Sequence, residues 1–455
     1  KNIMKKINLI DDDIYKLFWK IALPSSIGTI FQNLYSLVDA IFAGRMISEI
    51  ALAAIGQTFP IYFVIIALGI GLSIATTSIV ANSIGEKKIN KASKIFCQSL
   101  LLAIIVGIII SILGIYFGST ILKSINEDRK TLNLSTEYMN IIFLGSIFIL
   151  LLMISNSCLA ALGDTKSYRN VLIFSFFLNI LLNPILISGK CFGVEIFIPL
   201  GIAGIALATI LSQFIGLIYL LYKISKTEIY KNFNKNYLFP KINLIKKILF
   251  QGIPASIGLM MIALGSYILL YFVSNFGNEA IAGFASAGRY EQLLFLPLLG
   301  LSTAVTSIVG QNFGAQKKER IIETYKKALI TGFIILTFAG IILFFTADLS
   351  MRLFTDDNNV IYYGSIYLKI YSFAFPAFPL FFISNATFQG LRKAIIVMYM
   401  AILRFVLIPI LIITLINNFI KEDYIYMFIG LVIIHWIVGI LYFRYSFENI
   451  KKLNI

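Results

Sequence analysis

The sequence predicts an all-α integral membrane protein with about twelve transmembrane helices, in two parallel six-helix repeats around a central cavity. Three observations carry that expectation. Hydrophobic residues make up 59% of the 455-residue chain and charged residues only 13%. A soluble domain is nearer about 45–50% and 25%, so a soluble enzyme of this make-up would lack the polar surface to cover itself. Apolar stretches of the roughly 20 residues needed to cross a bilayer recur from end to end. The second half of the chain also repeats the first at a nearly constant offset.

In order, the stretches between charged or Gly- and Asn-rich breaks lie at about 17–44, 55–83, 95–119, 137–160, 168–189, 199–222, 246–273, 283–312, 327–350, 362–390, 394–417 and 424–445. Ahead of the first come Lys1, Lys5, Lys6 and the acid run Asp11, Asp12 and Asp13. No cleavable apolar segment precedes it, so these residues do not read as a secretory signal, and the acid run reads as a solvated face. Twenty-eight of the 38 lysines and arginines fall at the two termini and in the connections after stretches two, four, six, eight and ten. The opposite connections hold Arg45, Lys123, Arg129, Lys130, Lys190, Arg352 and Lys421. The positive-inside rule then puts both termini in the cytoplasm of a multi-pass cell-membrane protein. The formal charge of +16 becomes a record of orientation, and no nucleic-acid partner is expected.

The repeat rests on identities that hydrophobicity alone would not produce. Pro24-Ser25-Ser26-Ile27-Gly28 is answered by Pro254-Ala255-Ser256-Ile257-Gly258 at an offset of 230. At 229, Gly71-Leu72-Ser73 matches Gly300-Leu301-Ser302, and Thr77-Ser78-Ile79-Val80 matches Thr306-Ser307-Ile308-Val309. Tyr138 matches Tyr367, and Ser155-Asn156 matches Ser384-Asn385. One offset held over so long a span indicates duplication. Six stretches per repeat make the repeats parallel, not inverted. The expected organisation is an N-lobe at 1–222, a basic cytoplasmic linker at 223–245 serving as a tether, and a C-lobe at 246–455.

An ionised side chain at the centre of a spanning helix costs about 2.5–3.5 kcal/mol or more, so intramembrane acids are weighed first. Asp39 lies deep in the first stretch. Its i, i+6 spacing to Arg45 disfavours a simple structural pair and leaves a cation-binding or protonatable site. Glu291, after Arg289 and Tyr290, is either part of a self-neutralised cluster or a second functional acid. Asn179 and Asn183 share a helix face ahead of Pro184, and read as interhelical glue or as ligands facing Asp39. Gln32, Tyr35, Tyr138 and Asn156 suit a cavity for flat apolar or cationic compounds. Lys369 and Arg404 read as snorkelling or lobe-stabilising cations. His435, with no partner visible, reads as a packed residue. Cys97, Cys158 and Cys191 have no paired spacing, and neither a disulfide framework nor a resident metal or cofactor is expected.

These residues resemble one known family. The run from Tyr35 to Arg45 with Ala51-Leu52-Ala53-Ala54, the segment Val309-Gly310-Gln311-Asn312-Phe313-Gly314-Ala315, and Gly201-Ile202-Ala203-Gly204-Ile205-Ala206-Leu207-Ala208-Thr209 look like signatures of the multidrug and toxic compound extrusion (MATE) transporters. The resemblance implies twelve helices in two lobes and export of small, often cationic, organic compounds in exchange for Na+ or H+. It implies coupling through Asp39, which would also be the Na+ ligand, with Asn179 and Thr209 beside it; Asn183 reads as a further neutral oxygen donor to the same ion. It further implies a substrate cavity at Gln32, Tyr35, Tyr138 and Asn156, and a C-lobe acid at Glu291. There is a departure: members with this site usually carry Asn-x-x-x-Asp-Pro, and here Asn183 stands at the second acid's place. Membrane lipids and the transported compound are the expected partners of a monomer. The alternative is a flippase for lipid-linked saccharides, which would show cations along its cavity and commonly fourteen spans. A membrane-embedded transferase would need paired acids or histidines within a span, so no enzymatic activity is expected.

Overall fold

A computed structural model describes residues 7–191, 194–419 and 423–455; Lys1, Lys5, Lys6 and Lys421, counted above for orientation, lie outside them. Helix α1 (Ile14–Phe42) runs into a π-helical turn (Ala43–Ile47), followed by α2 (Glu49–Gly85), α3 (Ile89–Ile125), α4 (Arg129–Ala161) and α5 (Lys166–Ser188). Strand β1 (Lys190–Cys191) pairs antiparallel with β2 (Val194–Glu195) ahead of α6 (Gly201–Ser225). Short α7 (Glu228–Lys231) and a 3-10 turn (Lys235–Leu238) lead to α8 (Ile242–Val273), α9 (Asn278–Gly314) and α10 (Lys318–Arg352). The tenth span is broken into α11 (Asn358–Tyr371), a 3-10 segment (Ser372–Ala377) and α12 (Phe378–Gly390). The eleventh is broken by a π turn (Leu403–Leu407) between α13 (Ala394–Ile402) and α14 (Ile408–Phe419), and α15 (Tyr424–Lys451) closes the series.

Among the described residues, 11 helices are long and apolar enough to cross a membrane. The twelfth is α1, whose 29 residues suffice in length. Its hydropathy falls short because Ser25, Ser26, Gln32, Asn33, Ser36 and Asp39 interrupt it, so the helix that looks least like a span carries the most polar chemistry.

The duplication extends to the backbone. Helices α2 and α9 are offset by 229 residues at both ends, as are α4 and the combined α11–α12 span. Four helix ends turn through the left-handed region at equivalent positions: Lys87 (φ 58°) with Gln316 (59°), and Gly163 (85°) with Arg392 (59°). At each, an N–H reaches back five residues: Lys88 to Ser83, Asp164 to Leu159, Lys317 to Asn312 and Lys393 to Phe388. This closure satisfies carbonyls that the helix end would orphan, which offsets the left-handed cost of about 1–2 kcal/mol at a non-glycine residue. Thr77 Oγ1 donates to the Ser157 carbonyl at 3.3 Å, and its counterpart Thr306 to that of Ala386 at 3.2 Å.

The chain forms two compact units. One, the N-unit, comprises Ile27–Ile84 and Lys88–Ser256; the C-unit comprises the chain up to Ser26, Gly85–Lys87 and Ile257–Ile455. In the N-unit, α3 and α4 approach closely through small residues. Ser111 Oγ donates to the Phe143 carbonyl at 2.6 Å, and Ser146 Oγ to that of Gly107 at 3.1 Å. The segment after α7 is docked rather than loose. Gln98 of α3 donates to the Tyr237 and Phe239 carbonyls at 2.6 and 2.9 Å and accepts from the Lys241 amide at 2.7 Å. Each such bond contributes about 0.5–1.5 kcal/mol. Gln98→Ala should therefore speed amide exchange at Lys241 by roughly tenfold or more while leaving α3 protected; unchanged exchange there would mean the clamp carries no energy.

The C-unit holds the chain's N-terminal segment in the equivalent way. Asn312 Nδ2 donates to the Leu9 carbonyl at 3.0 Å, Arg320 bonds the Asp12 carbonyl, Lys317 pairs with Asp11 at 2.6 Å and Lys327 with Asp13 at 3.8 Å. Lys317 holds the Asp11 carboxyl below its usual value. The acid run is a solvated face, Asp11 and Asp13 being exposed, and at the same time a tether onto α10; Lys327 occupies the position equivalent to Gln98. The same exchange recurs at two glycines. A side-chain carbon on Gly71 would stand 2.5 Å from the Gly252 carbonyl oxygen, and one on Gly300 2.5 Å from that of Ala22. In each unit, then, the opening of one repeat lies against the body of the other.

Candidate functional site

Three helices of the N-unit build one polar centre in an apolar surround. Asp39 stands on α1, four residues before the π turn begins. Asn179 and Asn183 are one turn apart on α5, hence on one face. Thr209 stands on α6. All four are buried, with 5%, 0%, 0% and 2% of their surface exposed. Asn179 Nδ2 and Asn183 Nδ2 donate to Asp39 Oδ1 at 3.0 and 3.1 Å, and Thr209 Oγ1 donates to Oδ2 at 3.0 Å. Asn183 Nδ2 also donates to Asn179 Oδ1 at 3.0 Å.

Helix packing fixes this geometry. A side-chain carbon on Gly204 of α6 would lie 2.7 Å from the carbonyl carbon of Leu186 on α5 and 2.9 Å from the Ile187 nitrogen. Only glycine lets the two backbones come so near, which brings Thr209 and the asparagines to one carboxylate. Pro184 has no N–H to return to α5, and its own carbonyl is met by Ser188 Oγ at 2.7 Å.

Hydrogen bonds to a charged group are worth about 1.5–3 kcal/mol each. Three of them are of the same order as the several kcal/mol that burying one carboxylate costs. The asparagines present their NH2 groups, because an acceptor-only carboxylate draws donors. Asn183 Oδ1 is left without a hydrogen-bond partner among the described residues. No ion pair joins Asp39 to Arg45 among those residues.

The other residues singled out from the sequence fall as follows. Tyr35 stands one turn before Asp39 on α1, with a buried hydroxyl. Tyr138 is buried on α4. Gln32 and Asn156 are half-buried on α1 and α4 and share no hydrogen bond with the Asp39 centre. Glu291 stands in the C-unit, where Tyr367 Oη donates to it at 2.5 Å. Its neighbours do not neutralise it: Arg289 is exposed, and Tyr290 bonds Thr346 at 2.7 Å. Lys369 pairs with Asp348 at 2.5 Å. His435 does have a partner, Tyr371, at 2.8 Å. Sequence reasoning missed the close approach at Gly204. Among the described residues, no group of three or more His, Cys, Asp or Glu side chains converges as for a metal ion.

The sequence profile of the MatE family matches residues 24–185 and again 254–415, two segments whose offset is the repeat already seen in the helices. The chain belongs to the MatE family. This MATE transporter, a multi-pass membrane protein, is 29% identical to the probable multidrug resistance protein NorM of Thermotoga maritima, over 83% of its own length and 79% of that protein. It is 25% identical to the multidrug export protein MepA of Staphylococcus haemolyticus, over 79% and 78% of the two chains. Among solved structures it resembles an outward-facing multidrug resistance MATE transporter of the MOP superfamily, with a TM-score of 0.90, 25% identity and 100% of both chains covered.

Proposed function

We propose that this MATE transporter is a secondary active multidrug antiporter of the cell membrane, with both termini cytoplasmic. It exports amphipathic, often cationic, organic compounds in exchange for inward Na+ or H+. The observation that carries the coupling is Asp39, buried and held by neutral donors from two other helices, with no cation paired to it among the described residues. The names of NorM and MepA support the drug-export part.

A proton arriving at Asp39 removes the charge that draws in Asn179, Asn183 and Thr209, and weakens all three bonds. Na+ instead calls for oxygens: the carboxylate, Thr209 Oγ1, and the carbonyls of Asn179 and Asn183 once their amides turn over. Either ion rearranges the contact of α1 with α5 and α6. That contact becomes the element whose population the ion shifts, favouring outward release of substrate. Gln32, Tyr35, Tyr138 and Asn156 are the proposed substrate-facing residues, and Tyr35 links them to Asp39 across one helical turn. Glu291 is the proposed second acid, acting in the C-unit. The flippase reading finds little support, because Lys369 is neutralised by Asp348.

Proteoliposomes holding the unmodified chain test the proposal, with a fluorescent organic cation as substrate and Na+ or pH gradients imposed one at a time. Counter-gradient export is expected under at least one gradient, which names the ion. Export under neither would overturn antiport.

A further inference from the structure

In the C-unit, far along the chain from Asp39, Arg404 is fully buried at 0% exposure, and none of Nε, Nη1 and Nη2 meets an acceptor among the described residues. Arginine stays protonated in proteins, so this is a buried positive charge with all five N–H donors unmet. An isolated buried charge costs several kcal/mol, and natural interiors do not leave one uncompensated.

The surroundings are built rather than accidental. The Phe381, Phe378 and Phe405 rings lie 4.3, 5.2 and 5.4 Å from the guanidinium carbon. These rings engage the charge by cation–π attraction and accept no hydrogen bond in the guanidinium plane, where its N–H bonds lie. Two breaks in regular helix border the place: Arg404 sits within the π turn Leu403–Leu407, and the 3-10 segment Ser372–Ala377 separates Tyr371 from Phe378. Irregular backbone at membrane depth is tolerated mainly where it is buried in protein or lines a cavity, and π turns cluster at functional sites. A second unmet polar atom lies near the same Phe378 ring. His435, whose ring lies 5.7 Å from that of Phe378, bonds Tyr371 through Nε2 and leaves buried Nδ1 without a partner among the described residues. When the Tyr371 hydroxyl donates to Nε2, the imidazole proton sits on Nδ1 and is one more unmet donor. No carboxylate forms an ion pair with Arg404 among the described residues; Glu291 is bonded to Tyr367.

We infer that Arg404, with His435 Nδ1 at its side, is a binding site for one compact monovalent anion, a carboxylate or a halide. A planar guanidinium edge matches a carboxylate in two parallel hydrogen bonds, and a halide takes the same donors singly.

Purified chain tests this with acetate, chloride and bromide as probes against gluconate, at fixed Na+ concentration and ionic strength. The unfolding midpoint should rise saturably with each small anion, by about 3 °C or more well above half-saturation. Bromide-soaked crystals should show an anomalous peak in the plane of the Arg404 guanidinium. Arg404→Gln should abolish the anion dependence, and His435→Phe should weaken it. The bromide peak needs no variant, so it decides the matter should Arg404→Gln fail to fold. Midpoints indifferent to the anion, an equal response in Arg404→Gln, or a carboxylate of the chain itself on the Arg404 edge would overturn the assignment.

Discussion

Asp39→Asn is expected to reduce gradient-driven export in proteoliposomes to the leak of protein-free vesicles, while the variant folds at least as well as the parent. The replacement keeps shape and removes charge. The asparagine oxygen still accepts from Asn179 and Asn183, now 3.0 and 3.1 Å from Oδ1. Its new NH2 group faces Thr209 Oγ1, which has lone pairs to accept with, and the orphaned Asn183 Oδ1 is a second acceptor in the same cluster. What disappears is the burial cost of a carboxylate, about 2.5–3.5 kcal/mol at the centre of a span. The unfolding midpoint should hold or rise as transport falls. Export that persists at the parent rate under both gradients would remove Asp39 from coupling. A lowered midpoint with lost export would point to a structural carboxylate instead.

Gly204→Val is expected to cost nearly as much transport without altering any polar residue. The new side-chain carbon would stand 2.7–2.9 Å from backbone atoms of Leu186 and Ile187. Carbon contacts settle near about 3.5–4.0 Å, so α5 and α6 must part by roughly 1 Å. Overpacking of this kind costs about 1–3 kcal/mol, which a folded chain survives. Hydrogen bonds do not survive the same displacement. Thr209 donates to Asp39 at 3.0 Å, and 1 Å more takes that pair beyond bonding range. Asp39 can then follow α5 or α6 but not both. Gly56→Ala is the matched control, because a side-chain carbon there meets nothing within 4 Å. A folded Gly204→Val protein exporting at the parent rate would show that the α5–α6 approach does not set the site.

Much of the architecture is legible in the residue order because duplication writes the same breaks twice. The offset of 229 found in short identities is the offset of whole helices and of their left-handed corners. The asparagine pair is legible from its one-turn spacing, and Asp39 from its depth in an apolar run. Neither signal says which helices meet. Thr209 comes to Asp39 through the missing side chain of Gly204, and a small residue in a span has many uses. The breaks inside the tenth and eleventh spans are likewise hidden. Pro376 marks the first, but Leu403-Arg404-Phe405-Val406-Leu407 reads as ordinary helix, so Arg404 reads as an ordinary snorkelling cation. Tyr371 and His435 are 64 positions apart, beyond the reach of any periodicity argument.

The crossed tethers also impose an order in time. Leu9 is bonded to Asn312, 303 positions later, so at about 5–20 residues per second it waits roughly 15–60 s on the ribosome for its partner. Gln98 waits for Tyr237 across 139 positions, roughly half as long. Biosynthesis therefore completes the N-unit, with its Asp39 centre, while the C-unit still has helices to come. In a series of translation-arrested chains, protease sensitivity around Asp11–Asp13 should persist until α10 has emerged. The last contacts to form would then be among those made by the segment ahead of α1.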